Sequence, residues 1–118
     1  MDSNYRQRLL EAGVNVDKAL DRFMGNENLY DRFLGKFLQD GTYTRLEDCL
    51  KKGDAFETFR ETHTLKGLAA NLELGSLLEI LNPMTEQLRC GDMTNIREMH
   101  AELRSRYEKL IAIIKENH

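Results

Sequence analysis

The chain has 118 residues, of which 41% are hydrophobic and 31% are charged. This length predicts one domain, 1–118, with a single core, and it is too short to include a kinase or another ATP-binding catalytic module. The net charge is −3 and the basic residues are dispersed among acidic ones, which argues against binding to nucleic acid or to anionic membranes. A single proline and the high charged fraction favour an all-α protein.

Targeting and redox signals are weak in this chain. The segment Met1–Arg6 lacks the apolar stretch of a signal peptide, and no segment has the length and apolar character needed to span a bilayer. We therefore expect a cytoplasmic protein. Cys49 and Cys90 stand apart without CxxC spacing, so we expect two reduced cysteines that pack as small apolar residues.

The first half of the chain predicts four helices. A frayed start or a short helix over Tyr5–Glu11 is followed by Val16–Met24, which we expect to lie across the bundle as a lid. A wide apolar face then predicts a helix over Glu27–Gln39, where Gly35 permits close packing. The phase of the apolar positions changes after Asp40, which indicates a break before a helix over Tyr43–Lys51.

The run from Asp54 to Leu72 predicts one helix. Asp54 can accept hydrogen bonds from the free amides of the first turn, and Glu57 three places later completes a capping-box pattern. Helical spacing then gives one small, apolar face for packing. The residues of that face are Ala55, Thr58, Thr62, Leu65, Ala69 and Leu72.

Two further helices are predicted in the second half of the chain. Ser76–Cys90 contains Pro83, so this helix either kinks around Glu79 or restarts with Asn82 as its cap. The last helix covers Thr94–Lys115. The predicted fold is all-α, an antiparallel four-helix bundle with an additional short N-terminal capping helix.

His63 lies on the outward side of the Asp54–Leu72 helix, away from the packing face. It shares that side with Phe56 and Phe59, while Lys66 and Gly67 follow one turn later and lie beside it. A neutral imidazole is nucleophilic near pH 7, an ammonium can neutralise oxyanions, and glycine leaves space. The spacing therefore suits a histidine that carries a large, negatively charged group.

The motif His63-Thr-Leu-Lys-Gly67, followed by Ala69-Ala-Asn-Leu72, resembles the signature of the histidine-containing phosphotransfer (HPt) domain of two-component phosphorelays. The resemblance extends over nearly the whole chain. Its other segments are Met24–Glu27, Lys36–Leu38, Lys52–Asp54, Thr85–Arg89 and Gly91-Asp92.

The resemblance implies a phosphoryl carrier that is not itself an enzyme. His63 would take the phosphoryl group from an aspartate of a response-regulator receiver domain and pass it to another receiver, while Lys66 stabilises its charge and Gly67 leaves it room. The implied partners are receiver domains and a hybrid histidine kinase. We expect a monomer without a cofactor or metal of its own, because the Mg²⁺ belongs to the receiver.

Two groups of candidate binding residues accompany His63. From the resemblance, Thr85 or Gln87 on the neighbouring helix would fix the orientation of the imidazole, and the register across Pro83 leaves the choice open. The outward face also carries a candidate docking surface for the receiver. Its residues are Phe56, Phe59, Arg60, Ala70 and Asn71. Phe56 and Phe59 have the alternative of being core residues covered by the capping helix.

Competing interpretations remain for the protein and for its other histidines. A pseudo-HPt adaptor would bind receivers without phosphotransfer. A catalytic metal-bound bundle would need paired Glu-x-x-His motifs, which the sequence lacks. His100 has the position of a structural histidine at the edge of the core, and His118 has no context. Glu73, Leu68 and Pro83 depart from the common family pattern.

Overall fold

The computed structural model describes residues 1–118, which form seven α-helices and no strand. The helices are α1 (Ser3–Glu11), α2 (Val16–Arg22), α3 (Glu27–Gln39), α4 (Thr42–Lys52), α5 (Ala55–Asn71), α6 (Gly75–Arg89) and α7 (Ile96–Glu116). The all-α class expected from the sequence is confirmed. The molecule measures 41 × 24 × 21 Å along its principal axes and has one continuous apolar core.

The helix starts follow the capping residues of the sequence. The side chains of Asp2, Asn15, Asn26 and Asp54 each accept a hydrogen bond from a backbone N–H in the first turn of α1, α2, α3 and α5. The capping box expected at α5 is only half formed. Asp54 accepts from the backbone N–H of Glu57 at 3.0 Å, but the Glu57 carboxylate pairs with the guanidinium of Arg60 instead of returning to the cap.

Helix α5 occupies the centre of the packing. It lies between α4 and α6, while α7 packs against α6 and α3. Its expected packing face is buried at every position except Ala55, which is half-buried. Two of these positions are polar, and both hydroxyl groups are satisfied within the helix. Thr58 donates to the carbonyl oxygen of Asp54, and Thr62 donates to that of Thr58.

The turn between α5 and α6 anchors the N-terminal helices. The carbonyl of Gly13 accepts from the backbone N–H of Ser76 at 3.1 Å, and the N–H of Asn15 donates to the carbonyl of Glu73 at 2.9 Å. Glu73 is buried and pairs with Arg22 of α2 at 2.7 Å. Helix α2 packs against α1 and α3, and it leaves Phe56 68% exposed, so the lid does not cover that aromatic ring.

The expected interruptions of the helices are partly confirmed. The chain breaks at Asp40 and Gly41 between α3 and α4, as the change of phase predicts. Pro83 lies inside one continuous helix, so the interpretation in which Asn82 caps a new helix is wrong. Helix α7 begins at Ile96, two residues later than expected, because Asn95 adopts the left-handed conformation with φ +61°.

Gly35 confirms the expected close packing and identifies what approaches it. A Cβ atom at Gly35 would lie 2.8 Å from the imidazole of His118. The same imidazole places its Nε2 atom 3.0 Å from the carboxylate of Asp31, which also accepts the hydroxyl of Tyr5 at 2.8 Å. The end of the chain is thus held on α3. This contact of His118 could not be predicted from the sequence, because it joins residues far apart in the chain.

Candidate functional site

His63 lies near the middle of α5 and faces solvent. Its imidazole forms no hydrogen bond or ion pair with another side chain, and its nearest aromatic neighbour is Phe59, whose ring centroid is 5.9 Å away at a tilt of 40°. A rigid, capped helix therefore presents an unengaged imidazole at the surface. Such a group can act as a nucleophile because neither ring nitrogen is occupied by a neighbouring residue.

Lys66 and Gly67 follow His63 on the next turn of α5. Lys66 is half-buried and its ammonium makes no ion pair within the protein. Gly67 is exposed, and a Cβ atom added there would meet nothing within 4 Å. Packing of the fold therefore does not require glycine at this position. The pair provides an uncommitted positive charge and open space one turn from the imidazole.

A shallow hollow of about 330 Å³ surrounds the exposed edge of His63. Its lining consists of Phe59, Arg60, Glu61, His63, Thr64 and Arg89. Two guanidinium groups thus face it, one from α5 and one from α6. The single carboxylate, that of Glu61, is paired with Arg45 at 3.3 Å, which reduces its repulsion of an incoming anion.

The two residues expected to orient the imidazole have other partners. Thr85 is fully buried, and its hydroxyl donates to the carbonyl of Leu81 at 2.6 Å within α6. The amide of Gln87 donates to the carbonyl oxygens of Asp92 and Thr94 in the loop before α7. Neither side chain forms a hydrogen bond with His63 in this structure. Helical spacing alone could not predict these partners, because nearby backbone carbonyl groups compete for the donors of both side chains.

The candidate docking residues divide into two groups. Phe56 and Asn71 are exposed, and so is Arg60, which pairs with Glu57 at 3.2 Å. Phe59 and Ala70 are half-buried, and Phe59 packs against the core while it stays in contact with the site. The two phenylalanines therefore differ in whether they belong to the core or to the exposed surface. Phe56 belongs to the surface, and Phe59 belongs partly to each.

An apolar groove of about 510 Å³ lies between the end of α2, α3 and the end of α5. Its lining residues are Arg22, Phe23, Phe33, Lys36, Phe37, Asp40, Leu68, Asn71 and Leu72. Asn71 belongs both to this groove and to the candidate docking surface. Sequence reasoning missed the groove because its aromatic residues lie just after α2 and on α3, and their facing positions depend on how those helices pack.

Other potentially reactive side chains lie outside the site. His100 is half-buried on α7, where its Nε2 atom lies 3.4 Å from both the Tyr43 hydroxyl and the Glu47 carboxylate. Burial lowers the pKa of His100, which fits the structural role expected from the sequence. Both cysteines are free, but Cys90 is exposed, so the expectation that it packs as an apolar residue is wrong.

The structure also bears on metal binding and membrane insertion. No group of three or more His, Cys, Asp or Glu side chains is placed to hold a metal ion. None of the seven helices combines the length and apolar character that crossing a membrane requires.

Comparisons of the chain with protein-family models, with curated proteins and with solved structures found no match. The interpretation of the site therefore depends on its residues and their geometry.

Proposed function

We propose that this protein is a histidine phosphotransfer protein that relays a phosphoryl group between aspartates of receiver domains through His63. The observation that carries the proposal is the exposed, unpaired imidazole in the middle of α5, with the free ammonium of Lys66 and the open space at Gly67 one turn away. A merely structural surface histidine does not require this combination. The motif resemblance described above agrees with it.

The transfer we propose is a nucleophilic substitution at phosphorus. A ring nitrogen of His63, which we take to be Nε2, attacks the phosphorus of a receiver phosphoaspartate. The P–N bond forms while the P–O bond to the aspartate breaks, and the aspartate leaves as a carboxylate with the electron pair of that bond. A second receiver aspartate reverses these changes. The receiver supplies its own Mg²⁺, so this chain contributes a nucleophile and positive charge.

Lys66 and Gly67 have separate roles in this proposal. The ammonium of Lys66 reduces the accumulation of negative charge when two anionic groups approach each other, an effect that is strong once the site is covered by the partner. Gly67 removes the side chain that would stand between the phosphoryl oxygens and the helix. The lack of any atom within 4 Å of a Cβ at Gly67 supports this use of space.

We interpret the fold as an antiparallel four-helix bundle with a short N-terminal cap. In this interpretation α3 and α4 together form the first element, and α5, α6 and α7 form the other three. The packing of α4 on α5 and of α3 on α7 supports it, because the interrupted first element then touches both of its neighbours. Helices α1 and α2 form the cap.

The partner we propose is a receiver domain that docks over the His63 side of α5 and the adjacent groove. The groove offers Phe33, which is 39% exposed, and Phe23 next to the exposed Asn71 of the candidate docking surface. Apolar contacts ringed by charged and polar groups are typical of transient interfaces. We further propose that a hybrid histidine kinase supplies the phosphoryl group and that the protein acts as a cytoplasmic monomer.

The rival proposal is a helical adaptor that binds receivers without phosphotransfer. The groove alone would serve both functions equally well. What favours the carrier is the site itself, since an adaptor has no need for a nucleophile, a free ammonium and open space on adjacent turns of one helix.

Phosphoryl transfer from a receiver is the experiment that separates the two functions. Purified protein is mixed with receiver domains that have been phosphorylated by acetyl phosphate, and acid-labile, base-stable phosphate on this chain is followed. Mass spectrometry under neutral conditions then locates the modification. We expect it on His63 only, absent from His63→Gln and retained in His100→Gln and His118→Gln. Receiver binding without any phosphate on this chain would favour the adaptor.

A further inference from the structure

Arg89 reaches the His63 site from a different helix. It is the last residue of α6, and its guanidinium carbon lies 5.2 Å from the centroid of the Phe59 ring. The same ring lies 5.9 Å from the imidazole of His63, and all three side chains line the hollow described above. Phe59 is therefore a shared platform that holds a cation and a nucleophile at one surface depression.

The present partner of Arg89 is weakly bound. Its guanidinium contacts both carboxylate oxygens of Glu86, each at 3.4 Å, and the two side chains are 51% and 63% exposed. Exposed pairs of this kind contribute little to stability, since solvent screens them and both side chains lose freedom. The contact with Phe59 adds an attraction that does not use the N–H groups at the edge of the guanidinium. Two of its N–H groups make only long contacts with Glu86, and the third nitrogen, Nη1, has no partner, so the edge of the guanidinium can accept a ligand.

Arg60 is the other guanidinium that lines the hollow, and it is less suited to the same role. It contacts both oxygens of Glu57, at 3.2 and 3.3 Å, within its own helix. It does not stack on Phe59 or on another ring. Both arginines contact a glutamate of their own helix, but the contacts of Arg89 with Glu86 are longer, at 3.4 Å, and only Arg89 is also held by the ring of Phe59.

We propose that Arg89, positioned on the ring of Phe59, binds the phosphoryl group carried by His63. This inference rests on the proposed function. It adds a second cation to the site, which comes from α6, whereas Lys66 comes from α5. Guanidinium groups bind phosphoryl oxygens through two parallel N–H donors, which fixes orientation as well as charge. Arg89 thus holds the group after transfer, and Phe59 is a positioning residue that acts through it.

A test that needs no partner protein uses phosphoramidate as the phosphoryl donor. A ring nitrogen of His63 attacks its phosphorus, a P–N bond to the imidazole forms, and ammonia leaves with the electron pair of the broken P–N bond. The rate at which the resulting phosphohistidine hydrolyses is then measured by mass spectrometry. His63→Gln identifies signal from other sites.

The hydrolysis rate is compared among four variants. They are Arg89→Ala, Arg89→Lys, Phe59→Leu and the double variant that combines Phe59→Leu and Arg89→Ala. Arg60→Ala is the comparison within the hollow. Arg104→Ala is the matched control, because Arg104 is exposed to a similar degree and is paired with a glutamate on α7. Circular dichroism and urea unfolding establish that each variant is folded.

We expect Arg89→Ala to shorten the half-life of the phosphohistidine roughly threefold to fivefold, the size of one partly exposed charge pair. Arg89→Lys should restore only part of the loss, because an ammonium supplies the charge without the paired donors or the stacking on Phe59. Phe59→Leu should also shorten the half-life, and adding Arg89→Ala to it should change little, because the two residues act as one unit. Arg60→Ala should shorten the half-life less than Arg89→Ala does, and Arg104→Ala should leave it unchanged.

Two outcomes would overturn the inference, and they differ in what they say of the proposed function. If the unmodified chain is phosphorylated on His63 and Arg89→Ala hydrolyses at the same rate, or if only Arg60→Ala accelerates hydrolysis, then Arg89 does not bind the phosphoryl group while the carrier function stands. If the folded chain accepts no phosphoryl group on His63 from either phosphoramidate or a phosphorylated receiver, both proposals fail.

Discussion

At the scale of single residues, the site is defined by side chains that lack partners. The imidazole of His63 has no hydrogen-bonding partner, and the ammonium of Lys66 forms no ion pair. A group without an internal partner retains its donors and its charge for an external one. This distinguishes His63 from His100 and His118, both of which contact a carboxylate.

Lys66→Ala should separate function from stability. The ammonium makes no ion pair, so we expect the free energy of unfolding to change by about 0.5 kcal/mol or less, as at other surface positions. Phosphotransfer from a receiver should slow, and the phosphorylated form should hydrolyse faster, because a neutralising charge is lost. Quenched time-course assays measure the rate of phosphotransfer, and urea unfolding measures the stability. Equal transfer rates at equal helicity would exclude the electrostatic role of Lys66.

Gly67→Gln should increase the stability of the fold and slow phosphotransfer. Glycine within a helix is about 1 kcal/mol less favourable than alanine, and glutamine is a good helix former, so the folded state should gain part of that amount. A Cβ atom at Gly67 would meet nothing within 4 Å, so the substitution introduces no backbone-proximal clash. We expect slower transfer because the side chain fills the volume meant for the phosphoryl group. Gly67→Ala is the control of intermediate size, and a transfer rate independent of side-chain size would contradict this use of space.

At the scale of helices and turns, the structure explains why Glu73 can depart from the pattern of the HPt domains that the sequence resembles. It adopts a left-handed conformation with φ +57°, where glycine is usual. The structure shows what the glutamate provides in exchange, because its buried carboxylate pairs with Arg22 at 2.7 Å and lies 4.0 Å from Lys18. The turn after α5 thereby holds α2 in place.

The stability of variants at Glu73 should therefore not decrease simply with the size of the side chain that is lost. Glu73→Ala loses the ion pair and keeps the strained conformation, whereas Glu73→Gly loses the ion pair and relieves the strain. Because the left-handed conformation costs an L residue about 1 to 2 kcal/mol, we expect the glycine variant to be more stable than the alanine variant by about 1 kcal/mol. Urea unfolding of both variants tests the order, and equal midpoints would show that the turn is not strained.

The outward face of α5 predicts different behaviour for its two phenylalanines. Phe56 is 68% exposed, so Phe56→Ala should lower the free energy of unfolding by only about 0.5 kcal/mol. Phe59 packs against the core, and Phe59→Ala should lose about 2 kcal/mol, less than a fully buried phenylalanine would.

Receiver affinity is measured beside urea unfolding for both variants. If Phe56 belongs to the docking surface, its alanine variant should bind the receiver more weakly although its stability is nearly unchanged. Unchanged affinity for both variants in the folded fraction would remove these aromatic residues from the docking surface and leave Phe59 to the core.

At the scale of the whole molecule, the sequence was sufficient for the class of fold and for most helix limits. The α3 limits agree with the prediction, and the buried face of α5 follows from its spacing, because capping residues and helical periodicity are local properties. The neighbours of His63 on other helices were not predictable in this way. Arg89 and the groove at Phe23 and Phe33 depend on how helices pack, and that information is spread over the whole chain.

The pH dependence of global stability gives a final prediction, which concerns His100. This side chain joins α7 to α4, where Tyr43 and Glu47 face it, and Arg104 and Lys51 also contribute to its electrostatic surroundings. Burial is the largest effect and lowers the pKa of His100 below its ordinary value, although the carboxylate of Glu47 acts in the opposite direction. The folded state therefore binds a proton less readily here than the unfolded chain does.

The sign of the effect on stability follows from this difference. Above the ordinary histidine pKa, near 6.5, neither state binds the proton and His100 has no influence on the pH dependence. As the pH falls below that value, the unfolded chain becomes protonated first, so the free energy of unfolding decreases until the folded state is protonated as well. We expect His100→Gln to show a smaller decrease than the unmodified chain when urea unfolding at about pH 7.5 is compared with about pH 5.5. His118→Gln, which leaves His100 intact, should retain the decrease. If His100→Gln shows the same decrease as the unmodified chain, then burial of this imidazole does not set the acid sensitivity of the fold.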